Sequence, residues 1–253
     1  MNSLEKKCHQ AETRGQWREV AMMCNELGNS FRNNRQLDKA LEYHRKEKQA
    51  WLEVNDIANA ADATRMIGEV YVEKGMFVEA SNYHRKYLEK AEKLQNSVRI
   101  QRALATLGWT YLTWSLSDSD KLKQALQFCL KSLKAVSSIP SKDIDKRERH
   151  QMTGRALENI GKIHWRCCKK GEAETNFRRA EEQFRECKHW ADVQRLADTR
   201  AGFYLEDEDD PGPALAQCNI SLEAAKKILK NDFIVESLHS KERFHQQILL
   251  TFS

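Results

Sequence analysis

Proline is scarce in this chain, with three in 253 residues, and glycine is held to ten, which leaves little material for turns. Long apolar runs are missing as well. None approaches the roughly eighteen residues a membrane span needs, and the start from Met1 to Cys8 has no apolar signal core. No membrane partner is expected, and the reading places the chain in the nucleus or cytoplasm. The seven cysteines fall at irregular positions without a CxxC pair, so they read as reduced core residues. An excess of one charge is also lacking: 42 basic residues are interspersed with 37 acidic ones, for a net charge of +5. That pattern forms no stripe for a nucleic-acid backbone, and no direct sequence-specific nucleic-acid contact is expected. What the chain has in quantity is Glu, Lys, Arg, Ala and Leu, with 31% charged residues, a composition suited to long solvated helices.

Signals of catalysis are absent too. There is no glycine-rich phosphate loop and no nucleophile elbow. His164 and Cys167 are an i, i+3 pair, and Cys187 with His189 stands near the end of the next helix, so a zinc site can be drawn. The spacing is not that of a metal framework. The plainer reading makes His164 the aromatic of its repeat and the cysteines small core residues. No enzyme activity, metal or cofactor is expected. The acidic run from Glu206 to Asp210 reads as a solvated loop able to attract a basic partner.

Glycine is sparse but periodic. Leu27-Gly28, Ile67-Gly68 and Leu107-Gly108 place glycines forty residues apart, and Ala40 and Ala80 follow the first two by twelve. Ala173 follows Gly161, and Ala214 follows Gly202, by the same twelve. A glycine inside a helix costs about 1 kcal/mol relative to alanine, so one in every repeat points to close helix contact. Phe31, Tyr71, Tyr111 and His164 each follow their glycine by three, on the same helical face. A small residue on helix A, another on helix B and a ring beside them is tetratricopeptide chemistry. Only the third repeat departs, with Ala125 seventeen residues after Gly108, which implies a five-residue insertion between its helices.

The fold class predicted is all-α: a right-handed solenoid of the tetratricopeptide (TPR) type, with about five helix pairs and a capping helix at each end. It forms one domain over 1–253, with an N-terminal cap at 1–15, five repeats over 16–229 and a closing helix at 230–253. Helix A of repeat one is expected over 17–33 and helix B over 37–54, with about 17 residues, or about 25 Å, per helix. Asn55-Asp56 and Asn96-Ser97 supply the turns and N-caps between repeats. Gly68 and Ala80 are expected to face each other. Residues 142–149 carry no apolar period and read as a mobile surface loop.

The functional surface of such an array is its concave face, built from helix A positions three before, one after and four or five after each glycine. These are Asn25, Asn29, Arg32 and Asn33; Arg65, Glu69, Val72 and Glu73; Ala105, Trp109, Leu112 and Thr113; and Glu158, Lys162, Trp165 and Arg166. Asp62, Arg102 and Arg155, six before the glycine, also reach the groove. Asparagine offers a donor and an acceptor to a peptide backbone, and arginine or glutamate selects charge. Trp109 reads either as an exposed anchor for a partner or as a residue buried against Tyr111 or Trp114. A merely hydrophilic face stands as the alternative.

The run from Tyr83 to Leu112 resembles the N-terminal tetratricopeptide region of the tonsoku and tonsoku-like family. The matching residues are Tyr87, Leu88, Ala91, Asn96, Gln101-Arg102-Ala103, Leu107-Gly108 and Thr110-Tyr111. Ile67-Gly68-Glu69 and the segment from Ile160 to Arg166 are similar to other repeats of the same array. The family usually has arginine where Trp109 stands, and its long members continue into ankyrin repeats, an acidic segment and leucine-rich repeats. The resemblance implies a reduced relative that keeps the first module of a nuclear scaffold at replication forks in homologous-recombination repair. It further implies a histone tail and a replication-repair scaffold subunit as partners, with Asp62, Glu69 and Glu73 holding the basic tail. Arg65, Arg102 and Arg155 are unfavourable for that ligand, or else meet acidic parts of another protein. A second resemblance, through Leu27-Gly28-Asn29, is to spindle-orientation and polarity adaptors. They repeat Leu-Gly-Asn, whereas Glu69, Trp109, Lys162 and Phe203 stand at that asparagine here. A chaperone-binding carboxylate clamp fits Asn29 but has Asn25 where it needs lysine.

Overall fold

The computed structural model describes residues 3–206 and 211–228. Among them the secondary structure is helical, in eleven elements: α1 (Ser3–Thr13), α2 (Trp17–Asn33), α3 (Leu37–Glu53), α4 (Ile57–Glu73), α5 (Phe77–Lys93), α6 (Ser97–Trp114), α7 (Lys121–Ser138), α8 (Lys146–Arg166), α9 (Lys170–Glu186), α10 (Trp190–Leu205) and α11 (Gly212–Ile228). The fold is all-α and of the TPR type. Two compact units divide the chain at residues 143 and 144. The first holds α1 and the helix pairs α2/α3, α4/α5 and α6/α7, and the second holds α8/α9 and α10/α11. The closing helix expected over 230–253, and 207–210 of the acidic run, lie outside the described residues.

A left-handed residue ends helix after helix. Gly15, Arg35, Asn55, Gly75 and Gln95 stand twenty residues apart with φ between 50° and 73°, and Cys168 and Lys188 repeat the spacing in the second unit. At each, two backbone bonds close the helix. Arg35 N–H donates to Arg32 O at 3.0 Å and Gln36 N–H to Phe31 O at 2.9 Å, the pairing of a Schellman motif. Carboxylate or amide caps then open several of the next helices, as with Asp56 accepting from Asn59 N–H at 3.0 Å and Asn96 from Arg99 N–H at 2.9 Å.

The repeat glycines admit the opposing helix, though at a different residue from the one expected. A Cβ on Gly68 would come to 2.4 Å from the His84 ring; at Gly28 it would meet His44 at 2.6 Å, and at Gly161 it would meet Phe177 at 2.5 Å. Each of these rings lies sixteen residues after its glycine, one helical turn beyond the repeat alanine. Gly108 meets Cys129 Sγ at 2.6 Å, displaced by the five-residue insertion. Ala40, Ala80, Ala125, Ala173 and Ala214 are all buried, but in the first four of these repeats the glycine makes room for the larger side chain a turn further on. Beside these contacts the rings stack, Phe31 on Tyr43, Tyr71 on Tyr83 and Tyr111 on Phe128, with centroids 5.3, 5.3 and 5.5 Å apart. His164 breaks this series by pairing its Nδ1 with Glu172 at 2.7 Å, while the neighbouring Trp165 stacks on Phe203 at 5.2 Å.

Residues 142–149 are only partly a loop. Asp145 caps Glu148 N–H, and α8 starts at Lys146, so half of the expected loop is the first turn of a 21-residue helix. A capping carboxylate and the first-turn Glu148 offset the absence of an apolar period there.

A ladder of charge pairs across the A helices

The A helices α2, α4 and α6 of the first unit carry most of the residues named for the groove, and their side chains are joined to one another. Arg32 on α2 donates from Nε to Glu73 at 2.6 Å and from Nη1 to Glu69 at 2.7 Å, both carboxylates on α4. Arg65, one turn before Glu69, takes its other oxygen, and Arg35 approaches Glu73 at 3.8 Å. Burial alone would raise the Glu69 carboxyl, but Arg65 and Arg32 outweigh it and hold it below the usual carboxylate range. Glu69 and Glu73 in turn raise the Arg32 guanidinium against the lowering effect of burial.

Asp62 is joined in the same way. It accepts from Arg99 of α6 at 2.8 Å and from the Tyr87 hydroxyl at 2.8 Å, and burial with that negative neighbour raises the Tyr87 phenol. Asn29 donates to Asn25 at 3.0 Å, and Asn25 donates to Glu47 at 2.9 Å. Glu47 in turn lies 2.8 Å from His44 Nδ1, so this amide chain runs from the A-helix face into the core. Trp109 is half-buried against the cluster of Ile67, Val70, Tyr71 and Val72 and is not a free-standing anchor. Val72 and Leu112 are buried, so neither lines an open groove. Arg102 is half-buried and lies near Tyr87, whose phenol its charge lowers.

The second unit repeats the device. Lys162 pairs with Glu158 at 2.6 Å on α8, and Arg195 of α10 reaches the same carboxylate, which is 1% exposed and therefore no part of an open surface. Arg195 also holds Asp192 at 2.7 Å, and Arg155 approaches Asp192 at 3.3 Å. Burial raises Asp192, yet bonds from Arg195 and Gln151 bring its carboxyl below the ordinary range.

Arg99, Asp192 and Arg195, missing from the residues singled out above, complete these bridges. Their signal in the sequence is a spacing of 37. Arg32/Glu69, Asp62/Arg99, Glu158/Arg195 and Arg155/Asp192 are opposite charges 37 apart, three residues short of the period in the forty-residue repeats. Each therefore joins one A helix to the next with a shift of about one turn. Chemically the face offers paired carboxylates and guanidiniums, strong in binding a charged chain only if it exchanges for an internal partner. Among the described residues no three His, Cys, Asp or Glu side chains are gathered as for a metal ion, and no helix is long and apolar enough to cross a membrane.

No family model matches the chain. It is 29% identical over 230 residues to the Tonsoku-like protein of Drosophila melanogaster, covering 88% of this chain and 16% of that protein. Against the Tonsoku-like protein of Mus musculus the identity is 32% over 163 residues, 64% of this chain and 12% of the relative. The tonsoku-like resemblance thus extends along most of the chain, and the chain spans only 16% and 12% of these relatives' length. Among solved structures, a Rap protein complexed with competence and sporulation factor is similar with a TM-score of 0.64 at 16% identity, over 92% of this chain and 71% of that one. The apo form of RapI follows at 0.62 and 18%, over 98% and 67%. At these identities the likeness is one of fold.

Proposed function

We propose that the chain is a non-enzymatic TPR scaffold in the nucleus that takes a basic protein tail along the A-helix face of its first unit. A histone tail at replication forks, in homologous-recombination repair, is the ligand this reading favours, and a repair scaffold subunit is a second protein partner. The observation that carries it is that Asp62, Glu69 and Glu73 lie along one face of α4 and are partly accessible, with Trp109 of α6 half-buried against the same helix. The nuclear and repair context is carried over from the family resemblance read in the sequence.

Because Glu69 and Glu73 are held by Arg32, a ligand lysine or arginine binds by exchange. The incoming cation replaces Arg32, whose head turns to water, and the net gain is the difference between two pairs of similar strength. Affinity is therefore modest and falls as salt rises. The test is calorimetry of the full chain with a histone-tail peptide at low and physiological salt, using the parent and Arg32→Ala. Removing Arg32 from both carboxylates, with Arg65 still on Glu69, should tighten binding about tenfold, the equivalent of about 1.4 kcal/mol. Weaker or unchanged binding by Arg32→Ala, or no binding by the parent at low salt, sinks the basic-tail reading.

A further inference from the structure

A different surface of the first unit, on the B helices, carries a concentration of positive charge that the A-helix face does not explain. Lys86, Lys90 and Lys93 form one stripe of α5, and Lys48 of α3 faces them. Together with Thr64, Tyr83 and Glu89 they line a cavity of about 220 Å³. Its one carboxylate is already engaged, since Glu89 pairs with Lys93 at 2.7 Å. Among the described residues Lys86 finds only the face of the Tyr83 ring, 5.5 Å from its centroid. Lys48 and Lys90 have no hydrogen-bond or ion-pair partner among the described residues. Burial and the neighbouring Lys48 lower the Lys90 ammonium, Glu89 opposes them, and Lys86 adds to the lowering.

With Glu89 paired to Lys93, three further ammoniums line the same small space, so positive charge is in excess there. We propose that this cavity is a binding site for a dianionic phosphoryl group carried on a protein segment, with Lys48, Lys86 and Lys90 as its ligands. A dianion matches the charge better than a single carboxylate, and lysines serve phosphate as rotatable point charges. The cavity's bounded shape favours one phosphoryl group over a nucleic-acid strand, which needs a continuous basic track. On α5 the basic residues are interrupted by Glu89 and Glu92, and on α3 by Glu42 and Glu47, so no such track exists there. The site lies on other helices and other residues than the basic-tail reading and stands or falls separately from it.

The experiment uses the full chain at constant ionic strength. Inorganic phosphate should raise the melting temperature in a saturable way and shift the side-chain ammonium resonances of Lys48, Lys86 and Lys90, whereas chloride should do neither. A Gly-phosphoserine-Gly peptide should reproduce the shifts, and its serine counterpart should not. Lys48→Met/Lys90→Met keeps the aliphatic stems and removes mutual repulsion, so it should melt no lower than the parent while losing at least about tenfold in phosphate affinity. Lys86→Met provides the same readout from a third position. A parent that responds to phosphate no more than to chloride, or lysine variants that respond like the parent, would overturn the site. Tighter binding of a single-stranded oligonucleotide than of the phosphopeptide through these lysines would overturn the assignment to a protein segment.

Discussion

Gly68 and Gly202 hold the same place in their repeats, yet alanine is expected to act on them in opposite directions. A Cβ on Gly68 comes within 2.4 Å of two atoms of the His84 ring, while at Gly202 nothing among the described residues lies within 4 Å. His84 is fully buried, and its Nδ1 is 2.8 Å from Thr110 Oγ1, so the ring cannot retreat freely. Ordinary contact at about 3.5 Å requires a displacement of about 1 Å. Such overpacking costs about 1 to 3 kcal/mol, and a weakened hydrogen bond adds about 1 kcal/mol. Helix propensity returns about 1 kcal/mol. Gly68→Ala should therefore lose about 1 to 3 kcal/mol, whereas Gly202→Ala keeps only the propensity term and gains up to about 1 kcal/mol. Urea unfolding followed by far-ultraviolet circular dichroism measures both. Adding His84→Ala to Gly68→Ala removes the ring and should recover at least about 1 kcal/mol relative to additivity. Equal effects at the two glycines, or no coupling between Gly68 and His84, would refute the contact.

Burial lowers the His84 imidazole from its ordinary 6.5 to about 4. The unfolded chain then binds the extra proton first, so stability is unaffected above about pH 7 and falls as pH drops from 6.5 towards 4. At pH 4.5 the parent should have lost about 2 to 3 kcal/mol more than a His84→Ala chain, compared by urea titration. Arg32→Ala removes one guanidinium from two partly buried carboxylates and should cost about 1 to 3 kcal/mol in urea melts, between the values for exposed and buried pairs. No loss would make the ladder ornamental. Gly75 has φ +73° with open space around its missing Cβ, so Gly75→Ala should cost about 1 to 2 kcal/mol through the backbone alone, while Gln95→Gly, at φ 50°, should be neutral or stabilising by up to about 1 kcal/mol. Thermal melts showing both changes destabilising would contradict the left-handed caps.

Local periodicity was the most legible part of this protein. Helix A of repeat one was readable over 17–33 and occupies Trp17–Asn33, because the apolar stripe, the glycine and the turn residues all lie within one helix and its ends. The start of α8 was not legible, since its first turn rests on the Asp145 cap and carries no apolar side chain to mark it. The identity of the residue facing each glycine also escaped, because spacing shows which helix faces it but not how far that helix is shifted along its axis. Packing places His44, His84 and Phe177 there, a turn beyond the small alanines that mark the repeat.

The candidate face divides along the same line. That Arg32, Asp62, Arg65, Glu69 and Glu73 share one side of their helices follows from a period of 3.6 residues alone. Whether those charges are offered to a partner or to one another depends on the distance between neighbouring helices, which no single helix encodes. The tertiary structure brings consecutive A helices close enough for charges 37 residues apart to meet, so Arg32 holds Glu69 and Arg99 holds Asp62. By itself the sequence determined the repeats, their helices and the faces of each helix, because these are local consequences of spacing and side-chain size. Only the tertiary structure decided which charges are already paired and which, as at Lys48 and Lys90, make no ion-pair contact among the described residues, because pairing is settled across helices.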